Sequence, residues 1–117
     1  MPGLLTTLGG NLRTIYSTLR QAGFHGDLVA VTYYSLDFSD PAGVALITAV
    51  NKKLAGVTRA FGGEVAAGFE EFQAAASAFG GDSCAAGLLI RLTPTTCDVH
   101  PSPAGAALLA DAVRHAD

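Results

Sequence analysis

The chain has 117 residues, half of them hydrophobic and 15% charged, with a net charge of −3 from ten acidic and seven basic residues. That is the length of one domain, too apolar to stay disordered and long enough to bury roughly two thirds of the surface its unfolded form exposes. The basic residues are scattered through an acidic chain, which argues against nucleic acid as a partner.

No apolar run reaches the roughly 18 residues that cross a bilayer, so no membrane span is expected. The longest candidate, residues 42–50, carries Thr48 and runs into Asn51, Lys52 and Lys53. Residues 1–8 have neither a basic segment nor a continuous apolar one, so they do not read as a signal peptide. With six Phe, three Tyr and no Trp, the core is expected to be thin for this length.

Residues 4–22 read as a helix, because Leu5, Leu8, Leu12, Ile15, Tyr16 and Leu19 recur at steps that share one face. Gly9 and Gly10 weaken its first half and allow a later start at Asn11, an N-cap candidate. Gly23 is placed to stop it. Residues 27–34 form a nearly continuous apolar, β-branched and aromatic run, which predicts a strand buried on both faces. Asp40-Pro41 reads as N-cap and first turn of a helix reaching about residue 60, striped by Val44, Ile47, Val50, Leu54 and Val57. Gly62-Gly63 ends it, and residues 64–67 are a short second strand. Residues 69–79 are helical or irregular, residues 84–92 a loop with an apolar piece at Leu88-Leu89-Ile90. A last helix covers about residues 102–115, with Ala106, Leu109, Ala110 and Val113 inward.

Helix, strand, helix, strand, helix is the order of an α/β fold with a parallel sheet. The expectation is a single domain over residues 1–117: a minimal three-layer α/β arrangement on a short parallel sheet, flavodoxin-like but truncated. Two or three strands leave both sheet edges open. A second copy would cover them, so a homo-oligomer, a dimer or higher, is expected.

The densest chemical cluster is Cys97-Asp98-Val99-His100-Pro101-Ser102-Pro103-Ala104-Gly105. A carboxylate beside a histidine fixes the imidazole tautomer and stabilises its protonated form. A loop at the start of a helix, on the C-terminal side of a strand, is where open α/β sheets bind ligands. The plain alternative is a loop histidine beside a helix cap.

This cluster, together with Asn11 to Gly23 and Val29-Ala30-Val31-Thr32-Tyr33-Tyr34, resembles the C-terminal half of the SGNH (GDSL) hydrolases, in particular the secreted actinobacterial esterase and lipase type. The likeness runs from about residue 9 onward and is most specific at Asp98-Val99-His100-Pro101-Ser102 with Ala104-Gly105. It implies that His100 is the catalytic base and Asp98 its support. The spacing here is D-x-H, where the family more often has D-x-x-H, and Cys97 occupies that earlier position. The family's nucleophile block and its two oxyanion-hole blocks do not appear before residue 9.

Gly81-Asp82-Ser83-Cys84-Ala85-Ala86-Gly87 itself reads as G-D-S-x-x-x-G, in an unusual downstream place. Ser83 is the first candidate nucleophile, with Gly81 and Asp82 in a loop whose backbone N–H groups would serve an oxyanion. A chance match in a Gly-rich loop is the alternative. Cys84 and Cys97 are the only cysteines. Paired, they would bring Ser83 close to Asp98 and His100 and indicate an oxidising compartment, in keeping with a secreted or extracellular family. Unpaired, they would be two buried thiols.

Ser35 and Ser39 share the loop after the first strand with Asp37 and Asp40 and are second-rank nucleophiles; Ser102 is another, although its place suggests a cap. His25, His115 and the two cysteines lack a zinc-ligand spacing, so neither a metal nor a cofactor is expected. The leading expectation is a small esterase or lipase acting on a small-molecule or lipid ester through an acyl-enzyme. Ser83, His100 and Asp98 form its triad, and Phe69, Phe72, Phe79, Leu88 and Leu89 its acyl site. The alternative is an inactive hydrolase-derived fragment serving as a dimerising or apolar-ligand-binding module.

Overall fold

The computed structural model describes residues 2–116. The first helix, α1 (Pro2–Gln21), runs straight through Gly9-Gly10 and does not begin at Asn11. Packing explains why. Gly9 is buried against α2 (Pro41–Ala60), and a Cβ there would meet Lys53 Cδ at 3.0 Å. The glycine that lowers helix propensity is what lets the two helices approach. Gly23, at φ 96°, stops the helix as expected, with the Phe24 N–H donating back to Leu19 O at 3.0 Å.

Strand β1 (Val29–Val31) pairs in parallel with β2 (Glu64–Ala66), and α2 makes the crossover between them. Ala30 lies opposite Val65, and the ladder is prolonged by Glu64 N–H to Leu28 O at 2.7 Å and Thr32 N–H to Ala66 O at 3.0 Å. The mixed α/β class and the parallel pair agree with the sequence reading. The first strand is shorter than expected and is not buried on both faces: Val29 and Tyr33 are exposed. The Asn51 side chain explains its end. Asn51 Oδ1 accepts the Tyr33 N–H at 2.7 Å, and Nδ2 donates to Tyr33 O at 2.9 Å. A side-chain amide from α2 thus takes both backbone groups that a further strand would use.

Helix α3 (Gly68–Ala76) continues into a short 3₁₀ turn, Ser77–Phe79, that ends at Gly80. Beyond it the structure departs from the expected loop. An antiparallel hairpin, β3 (Leu89–Thr93) and β4 (Thr96–Pro101), turns at Pro94-Thr95. Side chains close the turn: Thr93 and Thr96 hydroxyls lie 2.6 Å apart, and Arg91 donates to Pro94 O at 3.0 Å. Cys84 and Cys97 form a disulfide with Cα atoms 5.8 Å apart, and Arg91 also donates to Cys84 O at 2.8 Å.

Helix α4 (Pro103–Arg114) follows, capped by Ser102, whose hydroxyl accepts the Gly105 N–H at 3.2 Å. Its inward side is Gly105 and Ala112 with Leu109 half-buried; Ala106, Ala110 and Val113 face out, contrary to the predicted stripe. A Cβ at Gly105 would run into the carbonyl of Leu88, the residue before β3, so only glycine lets α4 start there.

The core is two small clusters. Tyr16, Leu28 and Val57, with Leu12 and Phe61 beside them, seal α1 and α2 to the sheet. Phe72, Leu88 and Leu89 join α3 to the hairpin and α4. Four residues of the expected α1 stripe, Leu5, Leu8, Leu12 and Tyr16, are buried or half-buried, whereas Ile15 and Leu19 remain exposed.

Candidate active site

His100 lies on β4, two residues before the cap of α4, and not in a loop. On a strand, residues i and i+2 point to the same side. The D-x-H spacing therefore sets Asp98 and His100 side by side, with Nδ1 3.2 Å from Asp98 Oδ2. The other carboxylate oxygen accepts the Val99 N–H at 2.7 Å, which fixes the carboxylate plane. The His100 bond first, and the Val99 N–H second, hold the Asp98 carboxyl below its ordinary range. The His100 side chain is 72% exposed. With Nδ1 facing the carboxylate, Nε2 has no hydrogen-bond partner among the described residues.

Tyr34 holds this strand from behind. Its hydroxyl donates to Val99 O at 2.7 Å, and its ring stacks on buried Phe72 at 4.2 Å. Burial pushes the Tyr34 hydroxyl up from its ordinary pKa, and the neighbouring Tyr33 and Asp98 add to that. Tyr34 was absent from the sequence-based candidates. Its signal was position: it stands just past the C-terminal end of β1, where α/β sheets place functional groups.

The serines fall elsewhere. Ser83 is fully buried, and its hydroxyl donates to Ser35 O at 2.7 Å. A hydroxyl without solvent access and already donating cannot meet an ester, so the expected Ser83–His100 couple is not formed. The Gly-rich loop is equally committed. The Gly81, Asp82 and Ser83 N–H groups donate to Ala76, Phe79 and Leu36 carbonyls, leaving no oxyanion donors there. Asp82 caps its own turn, accepting the Cys84 and Ala85 N–H groups at 2.9 and 3.2 Å. The G-D-S match is a structural turn bridged to residues 36–38.

Ser35 is buried and donates to Asp37 O at 3.0 Å. Ser39 is exposed, but its hydroxyl bonds Asp37 Oδ1 at 2.6 Å and holds the Asp37 carboxyl below its ordinary range. Ser102 donates to Gly87 O at 2.6 Å while capping α4, the plain reading considered for it. The expected acyl site is also corrected: Phe72, Leu88 and Leu89 are core, Phe69 packs edge-on to Phe38, and only Phe79 is exposed. Of the expected residues Phe69 alone lines open space, a cleft of about 530 Å³ that it shares with Thr32, Asn51 and Val65, and two smaller clefts lie beside Tyr34. One cleft of about 270 Å³ is lined by Val31, Thr32, Tyr33, Tyr34 and Leu109. Another of about 250 Å³ runs from Tyr34 past Ser35 and Asp37 to Ile47.

His115 Nδ1 lies 2.8 Å from Asp111 O at the end of α4. Among the described residues no group of three His, Cys, Asp or Glu side chains converges to hold a metal ion, and no helix is long and apolar enough to cross a membrane. The chain matches no protein-family model, no curated protein and no solved structure.

Proposed function

We propose that this chain carries the general base of an ester hydrolase of the SGNH kind. The observation behind it is the exposed His100–Asp98 pair, with Nδ1 on the carboxylate and Nε2 free. A neutral imidazole so held takes a proton from an attacking hydroxyl or water and returns it to the leaving alcohol. The carboxylate stabilises the imidazolium in between. Tyr34, tied to the same strand through Val99 O, supplies a ring against which the ester packs.

Ser83, Ser35, Ser39 and Ser102 have hydroxyls already engaged within the chain. In this reading the nucleophile is therefore water, or a serine on another polypeptide segment docked beside His100. The disulfide suits an oxidising compartment, in keeping with the secreted members of that family. The second reading, a module that binds apolar ligands without turnover, draws on the same engagement of the Ser83, Ser35, Ser39 and Ser102 hydroxyls.

The test is hydrolysis of a short p-nitrophenyl ester by the chain beside His100→Ala, Asp98→Asn and Ser83→Ala. A general base predicts turnover that His100→Ala abolishes, that Asp98→Asn lowers about tenfold or more, and that Ser83→Ala leaves intact wherever the variant stays folded. Turnover indifferent to His100→Ala would end the proposal. Binding of the ester without turnover would favour the second reading.

A further inference from the structure

Both lysines of the chain and one of its five arginines meet on the outer side of the α1–α2 pair. Arg13, Lys52 and Lys53 rim a groove of about 360 Å³ whose floor is Leu5, Ala49, Gly56 and Val57. The size is at the lower end of small-ligand pockets, roughly 300–1,000 Å³. Gly9 brings the cations together: a Cβ there would touch Lys53 Cδ at 3.0 Å and Arg13 Nη1 at 3.4 Å, so both side chains cross the same glycine.

None of these three cations has a carboxylate within ion-pair distance, or a hydrogen-bond partner, among the described residues. Among the described residues, three of the other four arginines are engaged and Arg59, on α2, is not. Arg20 donates to Phe24, Gly26 and Phe61 carbonyls, Arg91 to Pro94 and Cys84 carbonyls, and Arg114 pairs with Asp111. Like charges gathered over an apolar floor, in a chain of net charge −3, repel one another unless an anion sits between them.

We infer that this groove binds a single-chain carboxylate amphiphile, a free medium-chain fatty acid. Its carboxylate would lie between Arg13 and Lys53, with Lys52 at the rim, and its alkyl chain along Leu5, Ala49 and Val57. The floor gives an inorganic anion nothing to bury, and the lining has no aromatic ring on which a base or sugar would stack. The site lies between α1 and α2, whereas His100 is on β4, and it does not depend on the hydrolase reading.

The experiment is a titration of the ¹⁵N-labelled chain followed by amide shifts. The probes are decanoate below its micelle concentration, 1-decanol, inorganic phosphate, and phosphatidylglycerol vesicles. Decanoate is expected to give saturable shifts at Gly9, Arg13, Ala49, Lys53 and Gly56, weakened by added salt. Arg13→Gln with Lys53→Gln should weaken decanoate about fivefold or more and leave decanol unchanged. Both substitutions are on the groove rim, and an unchanged thermal midpoint checks the fold. Ala49→Leu, filling the groove, should weaken both. Decanoate and decanol binding equally, phosphate binding as well as decanoate, or shifts with vesicles alone would each overturn the inference.

Discussion

The disulfide is the sharpest place to test how this small core is held. Cys84 and Cys97 are 13 residues apart in sequence, and Cys97 directly precedes Asp98. Replacing both with serine leaves no stray thiol and frees the loop in the unfolded chain. For a loop of that length the chain-entropy relation gives about 9.7 cal/mol/K, or roughly 2.9 kcal/mol at 25 °C. With about 2.1 cal/mol/K of unfolding entropy per residue, 117 residues carry roughly 250 cal/mol/K. The double variant should then melt about 12 °C below the parent. Thermal unfolding followed by far-ultraviolet circular dichroism reads this directly, with a thiol assay confirming that the parent has no free cysteine. The hairpin should loosen with it, leaving the Arg91 bond to Cys84 O, the Leu88 N–H bond to Ser83 O and the Leu88–Leu89 packing to tie β3 to the Cys84 turn. A midpoint within about 3 °C of the parent would refute the reasoning. It would mean that the unfolded chain is already restricted near this loop or that the bridge strains the native state.

Three further outcomes follow from single contacts. Tyr16→Phe removes the buried hydroxyl pair with Thr58 at 2.7 Å, while Thr58 keeps its bond to Leu54 O, so urea unfolding should show a loss of only about 0.5–1.5 kcal/mol. Gly105→Ala forces a Cβ into the Leu88 carbonyl and toward Phe72, and should cost about 1–3 kcal/mol or more; a neutral result would mean that α4 is not seated as described. The Asp98 carboxyl carbon should titrate below the ordinary carboxylate range in an NMR experiment. Its contribution is complete above the unfolded-state pKa and is lost as pH falls through the lower folded value, and His100→Ala should move the titration back up. An ordinary Asp98 titration in the parent would show that the His100 contact does not persist in solution.

Local sequence carried the helices well. Asp40-Pro41 opens α2, Gly23 closes α1, Gly62 follows α2, and Ser102 caps α4 where short-range chemistry placed them. These are decisions made within a few residues by φ preference and by side-chain bonds to the nearest N–H. The pairing of Asp98 with His100 was visible for the same reason, although only the strand backbone explains why D-x-H suffices. The end of β1 was not visible, because it depends on an Asn51 amide reaching across from α2. The hairpin was hidden by Pro94 and a run of threonines that look like loop until their hydroxyls pair. Ser83 looked reactive because G-D-S says nothing about burial.

Composition, the α/β order, the end of α1, the limits of α2, the cap of α4 and the Asp98–His100 pair were therefore determined by the sequence itself, since each rests on neighbours a few bonds away. Which hydroxyls are free, which residues of the α1 stripe are covered, and where Arg13, Lys52 and Lys53 converge were decided only by tertiary structure. Burial and charge proximity depend on segments far apart in the chain, and no local pattern records which of them come into contact.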